Sequence, residues 1–150
     1  MKNGLYFFLI AAVISAGCSK TPTAEDDQAL IEKYLLDNNL TATTIDRGVY
    51  VIINEPGEEA KPQITSTVTV YYRGYYLDGT QFDGTQTGGA PARFALSNVI
   101  EGWQIGIRKF GKGGKGTILI PSRLGYGKNP PFGVRSNAVL IFDIELVDFN

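Results

Sequence analysis

Few side chains in this 150-residue chain could do chemistry, because histidine is absent and cysteine occurs once, at Cys18. Losing histidine removes the commonest general base and the commonest metal ligand. One cysteine cannot form an internal disulfide or a cysteine-built zinc or iron–sulfur site. No metal or cofactor is expected. Carboxylates, hydroxyls, backbone amides and the shape of a cavity remain. One set of such groups belongs together: Asp83 beside Phe82, the phenols of Tyr72 and Tyr126, and the rings of Trp103 and Phe142, with Val99 and Ile100 close by. A mostly aromatic bowl with one carboxylate and two phenols suits a planar, apolar ring next to a carbonyl. Trp103 and Phe142 alone would read as ordinary core. Asp83 next to an apolar ring, and Tyr126 on an irregular stretch, argue for a site.

These groups must be positioned by a helix and a sheet. Ile100, Trp103 and Ile107 recur at helical spacing and fall along one stripe of a short helix. Gly102 and Gly106 interrupt it at roughly 1 kcal/mol each against alanine, a cost tolerated where another backbone or a ligand comes close. Strands are expected over residues 48–53, 67–77, 80–83, 92–96, 117–121 and 138–149. Tyr72 shares a face with Val68 and Val70; Leu140, Phe142, Ile144 and Leu146 share another, with Asp143 and Glu145 opposite. Asp78-Gly79 marks a hairpin. Residues 122–137 form a long loop carrying Tyr126. The fold class is α+β: an antiparallel sheet of about five strands half-wrapped around one short helix, with Trp103 in the concavity.

Two glycine motifs fail on context. Residues 111–116 satisfy a dinucleotide-binding glycine pattern, but the helix precedes and the strand follows, the reverse of what that motif needs. Residues 106–112 fit most of a phosphate loop, yet Gly113 stands where serine or threonine is required. Arg108, Lys109, Lys112 and Lys115 cluster, but the rest of the chain is not basic, and the cluster reads as a solvated turn rather than a nucleic-acid surface.

At the N-terminus, residues 1–17 have the layout of a secretory leader: Lys2, an apolar run over residues 5–14, then small residues. The run is too short for a free-standing membrane span. Ending at Ala16-Gly17-Cys18, it resembles the bacterial lipoprotein signal, which implies lipidation of Cys18, a membrane anchor, and a place in the bacterial cell envelope facing the periplasm. Residues 18–46 are then a tether and an amphipathic helix that starts at the acidic residues 25–27 and runs to about Leu36. That helix could pack on the domain, pair with a second copy or act as a spacer. Residues 47–150 form the domain proper.

Within that domain, Val70-Tyr71-Tyr72-Arg73-Gly74, residues 77–83 (LDGTQFD), Val99-Ile100-Glu101-Gly102-Trp103, Gly125-Tyr126-Gly127 and residues 140–146 (LIFDIEL) resemble the FK506-binding-protein family of peptidyl-prolyl cis/trans isomerases. The resemblance implies a rotamase acting on proline-containing peptides and unfolded exported proteins, with FK506- or rapamycin-like macrolides as further ligands. It implies Trp103 as the floor under a proline ring and Tyr72, Phe82, Val99, Ile100 and Phe142 as walls. Asp83 would lie near the rotating carbonyl, the Tyr126 hydroxyl and the Ile100 amide would bond substrate carbonyls, and Val134 would contact substrate from the loop. Asp83, Tyr126, Phe82 and Trp103 are thus the implied catalytic set.

The chain also departs from the family pattern. Ala92 stands where an aromatic wall residue is common, and Gly88 about where an arginine partner for the aspartate is often found. Val134-Arg135-Ser136-Asn137 replaces isoleucine-proline-proline-asparagine. Each change is expected to open the pocket or loosen its loop. Beside an active isomerase, two other readings stand: a proline-peptide-binding chaperone module with little turnover, and a structural envelope lipoprotein, which leaves the bowl without a use.

Overall fold

A computed structural model describes residues 24–150. The leader, Cys18 and most of the tether lie outside the described residues. Helix α1 spans Ala24–Asp37, with Glu25, Asp26 and Asp27 in its first turn, where the helix dipole favours negative charge. It ends where Asn39 takes the left-handed conformation (φ 53°) and the Leu40 N–H returns to the Leu35 carbonyl at 2.8 Å.

Seven strands follow: β1 (Thr43–Thr44), β2 (Tyr50–Glu55), β3 (Thr67–Tyr75), β4 (Gln81–Gly84), β5 (Ala92–Ala95), β6 (Lys115–Ile120) and β7 (Leu140–Phe149). Helix α2 (Glu101–Gly106) lies between β5 and β6. All pairings are antiparallel, in the order β1-β2-β6-β7-β3-β4, with β5 also on β3. The strand count exceeds the expected five for two reasons. The bridge β1 is only two residues long. The edge of β3 is also shared, with β5 pairing residues 67–70 and β4 pairing residues 73–75. β3 stops at Tyr75 because the next residues turn: the Gly79 N–H reaches the Tyr76 carbonyl at 2.8 Å, with Gly79 at φ 82°.

The concave face of the sheet buries Val68, Val70, Ile118, Ile120, Phe142, Ile144 and Leu146 with Trp103 and Ile107 of the helical segment. The two helix glycines have their reason here. A Cβ on Gly102 would run into the Ile120 side chain, and one on Gly106 would lie 2.7 Å from that of Ile118. Helix α2 therefore rests with its backbone directly on β6.

On the convex face Ile31 and Leu35 of α1 pack with Tyr50, Leu119, Val139 and Ile141. Of packing, pairing and spacing, the helix does the first. Ile31 is fully buried, and burial of a side chain of this size stabilises by about 1.5–3 kcal/mol. Helix α1 thus covers part of the convex face, while the Arg73–Asp143 pair farther along that face stays open to solvent.

Candidate functional site

The site is built where α2 begins. The Ile100 carbonyl accepts from the N–H groups of Trp103 (3.0 Å) and Gln104 (3.2 Å), and Gln104 Nε2 donates to the Val99 carbonyl at 2.8 Å. Val99 and Ile100 are held in this way at the mouth of the concavity. Among the described residues the Ile100 N–H donates to no backbone carbonyl, so it is a donor on offer at the site.

Trp103 is nearly buried and meets three rings edge to face: Tyr72 at 5.1 Å, Phe142 at 5.2 Å and Phe94 at 5.5 Å between centroids, with interplanar angles of 83–88°. Such pairs contribute about 0.5–1.5 kcal/mol each beyond burial, which makes the floor rigid. Its Nε1 is buried without a hydrogen-bond partner.

Tyr72 projects from β3, and Asp83 from β4, where it sits opposite Gly74. Asp83 is exposed, and one of its oxygens accepts from the Gly84 N–H at 2.8 Å. Burial pushes the Tyr72 phenol well above its ordinary value, and hydrogen bonding to Asp83 and the charge of that carboxylate push it further. Tyr126 is raised in the same direction, first by burial and then by the charge of Asp83. Two neutral phenols therefore flank one carboxylate.

Tyr126 follows the single helical turn Ser122–Leu124. The N–H groups of its neighbours Gly125 and Gly127 both donate to the Ser122 carbonyl, at 3.1 and 3.0 Å. The rest of the loop is tied rather than loose. Asn137 N–H donates to the Gly127 carbonyl (2.7 Å), Arg135 N–H donates to the Tyr76 hydroxyl (2.9 Å), and Arg135 Nη1 donates to Asp78 Oδ2 (2.7 Å). The Arg135 guanidinium also lies 4.3 Å over the Tyr76 ring. These bonds lie in the segment where the family pattern has its two prolines.

Tyr72, Asp83, Phe94, Asn98, Val99, Ile100, Trp103, Tyr126 and Phe142 line one cavity of about 250 Å³. Phe82 stands behind it, stacking edge-on against Phe142 at 5.6 Å and tilted on Tyr76 at 4.8 Å. Val134 is half-buried on the loop and is not on the lining, its N–H bonded to the Pro131 carbonyl at 3.1 Å. Phe94 and Asn98 line the cavity without having been picked out from the sequence. For Phe94 the signal was available: Ala92 and Phe94 pair with Val70 and Val68 and so share a face, and Phe94 supplies an aromatic wall next to the small Ala92. Asn98 carried no comparable signal.

With this geometry in view, the matches to known proteins become interpretable. Residues 58–147 match the family model of the FKBP-type peptidyl-prolyl cis-trans isomerase, more than half of the chain. The chain belongs to the FKBP-type isomerase family. It is similar to the FKBP-type peptidyl-prolyl cis-trans isomerase FkpA of Escherichia coli strain K12, 40% identical over 105 residues that make up 70% of this chain and 39% of that protein. The FkpA of Aeromonas hydrophila is 36% identical over 126 residues, 83% of this chain and 47% of that one. The chain thus spans less than half the length of these curated relatives. Among solved structures it is similar to that of FkpA from Escherichia coli (TM-score 0.74, 36% identity, 85% of this chain and 61% of that one). It is also similar to a peptidyl-prolyl cis-trans isomerase of Pseudomonas syringae (TM-score 0.70, 25% identity, 85% and 96%). Helix α1 (Ala24–Asp37) precedes the matched family region.

In an FKBP-type domain with this lining, the chemistry on offer is non-covalent. A ring can sit over Trp103, and a carbonyl can meet the Ile100 N–H or the Tyr126 hydroxyl.

Proposed function

We propose that the chain is a peptidyl-prolyl cis/trans isomerase that accelerates rotation about X–Pro bonds in exported proteins. Rotation costs about 18–20 kcal/mol because twisting the amide destroys its resonance. The twisted amide has a less polar carbonyl and a more pyramidal nitrogen than the planar one. A dry aromatic pocket therefore disfavours the planar ground state more than the twisted state, and differential binding becomes rate. A 10⁴-fold acceleration requires about 5.5 kcal/mol of such preference.

The carrying observation is the Trp103-floored cavity of about 250 Å³ with Asp83, Tyr126 and the unused Ile100 N–H around it. In this reading the proline ring lies over Trp103 between Tyr72, Val99, Ile100, Phe94 and Phe142. Tyr126 and the Ile100 amide hold substrate carbonyls, Asp83 lies by the rotating bond, and Phe82 acts from behind by fixing Phe142. Val134 contributes through the loop it belongs to. FK506- or rapamycin-like macrolides, which present a ring next to a carbonyl, are ligands of the same cavity.

We also assign the chain to the bacterial envelope, anchored through a lipid on Cys18. Residues 19–23, the stretch between that cysteine and α1, reach at most about 18 Å when extended, so the domain stays near the bilayer. Lipid labelling of wild type but not of Cys18→Ser tests this.

The deciding experiment is a proline-isomerisation assay on the full chain, using a short peptide with an apolar residue before proline, with Asp83→Ala and Tyr126→Phe alongside. Turnover that both variants diminish supports the enzyme. Binding without turnover makes the chain a proline-peptide-binding chaperone module instead, and absence of both removes the functional reading.

A further inference from the structure

We infer that Asp27, on a helix that precedes the matched family region, is a positioning residue for Tyr126. The inference rests on the isomerase reading for its catalytic consequence and on geometry for the rest. Asp27, Ile31 and Leu35 are spaced i, i+4 and i+8 and are all buried, so they form the face that α1 turns to the domain. An apolar residue at position 27 would complete that stripe. A carboxylate stands there instead, 1% exposed, and burying one is costly unless it is bonded.

Its bonds go to one residue. Asp27 Oδ2 accepts from the Ser122 backbone N–H at 2.9 Å and from Ser122 Oγ at 2.7 Å, while Oδ1 is buried without a partner. Ser122 is the residue whose carbonyl receives the N–H groups of Gly125 and Gly127, on either side of Tyr126. The amide that donates to Asp27 is the Pro121–Ser122 peptide, whose carbonyl receives the Leu124 N–H at 2.9 Å. The carboxylate therefore grips the first peptide of the turn, and the turn grips both flanks of Tyr126. Hydrogen bonds arranged in series polarise and strengthen one another. The helix dipole favours a negative charge in the first turn of α1 but does not require that charge to be buried against Ser122.

A purely structural role would be to hold α1 down, and the two roles separate experimentally. In the full chain, Asp27→Ala and Ser122→Ala are each measured alone and combined with Tyr126→Phe. Asp27→Ala is expected to lower kcat/KM about fivefold alone and less than about twofold once the Tyr126 hydroxyl is gone, because both changes remove the same contact. Asp27→Asn, which keeps an acceptor oxygen, should recover most of the loss. Ser122→Ala removes one of the two bonds and carries the same cycle should Asp27→Ala fail to fold. Amide hydrogen exchange gives a readout independent of turnover: Asp27→Ala should speed exchange at Ser122, Gly125 and Gly127 while Ile118 and Ile144 in the sheet stay protected. Additive losses in the cycle, or exchange that rises equally throughout, would overturn the inference. A wild-type chain without turnover would defeat the isomerase reading by itself, and the exchange pattern would then decide the positioning claim alone.

Discussion

Gly74 lies opposite Phe142 across the β3–β7 ladder, and a methyl group placed on it would sit 2.8 Å from the Phe142 ring and 2.9 Å from that of Phe82. The missing side chain is what lets those two rings meet edge to face at 5.6 Å, and so sets the wall over which Phe142 reaches Trp103 at 5.2 Å. Gly74→Ala is expected to destabilise the domain by about 1–3 kcal/mol, the usual consequence of overpacking, and to lower kcat/KM by displacing Phe142. Urea melts and peptide turnover on one preparation check it. Unchanged turnover alongside lost stability would mean that the Phe82–Phe142 pair is core and not wall.

Helix α2 offers a contest between two effects of known size. Replacing Gly102 by alanine should gain about 1 kcal/mol of helix propensity. The same methyl group would collide with the Ile120 side chain, and overpacking at about 1–3 kcal/mol wins. Gly102→Ala should therefore lower stability, and adding Ile120→Ala, which removes the colliding atoms, should bring part of it back relative to Ile120→Ala alone. A stabilised single variant would show that α2 can slide off β6.

The fold was legible because its signals are local. Alternating residues on β3 and β7, the Asp78-Gly79 turn and the stripe through Trp103 each specify an element with its buried face. Asp83, Tyr126 and Trp103 could be picked out by type, as a charge, a phenol and a lone indole among apolar neighbours. Phe94 follows from period two, which places it on the same face as Ala92. The tie between Arg135 and Asp78 joins residues 57 apart in sequence, and that between Asp27 and Ser122 joins residues 95 apart. Only the folded chain brings such pairs together, and no local pattern announces them.

The Arg135–Asp78 tie lies at the surface. Both side chains are about half exposed, so their pairing adds little to stability and weakens with salt. Its effect should be on loop position more than on global stability. Arg135→Ala is expected to leave the melting temperature nearly unchanged and to raise KM for peptide severalfold, with high salt reproducing part of that rise in wild type. Asp78, brought down to about 2 by the Thr80 N–H and then by Arg135, keeps its charge in acid. A carboxylate depressed in this way contributes above its unfolded value near 3.8, and the contribution fades as pH falls from there through about 2. A KM insensitive to both Arg135→Ala and salt would remove the tie from the substrate-binding picture.

The phenols at the site make the opposite prediction at alkaline pH. Burial, then the neighbouring Asp83, raise Tyr72 and Tyr126 above the ordinary 10.0. For a group with a raised folded value, the unfolded chain loses its proton first. Between 10 and the folded value the unfolded state binds fewer protons, so stability is intact below 10 and declines as pH climbs beyond it. With no histidine in the chain, kcat/KM should be level from about pH 6 to about pH 9. Absorbance titration should show tyrosines ionising late, and Asp83→Asn should bring Tyr72 part of the way back while burial keeps it raised. A step in kcat/KM near neutrality that coincided with tyrosine ionisation in the absorbance titration would overturn the view that the two phenols act there as neutral hydrogen-bond donors.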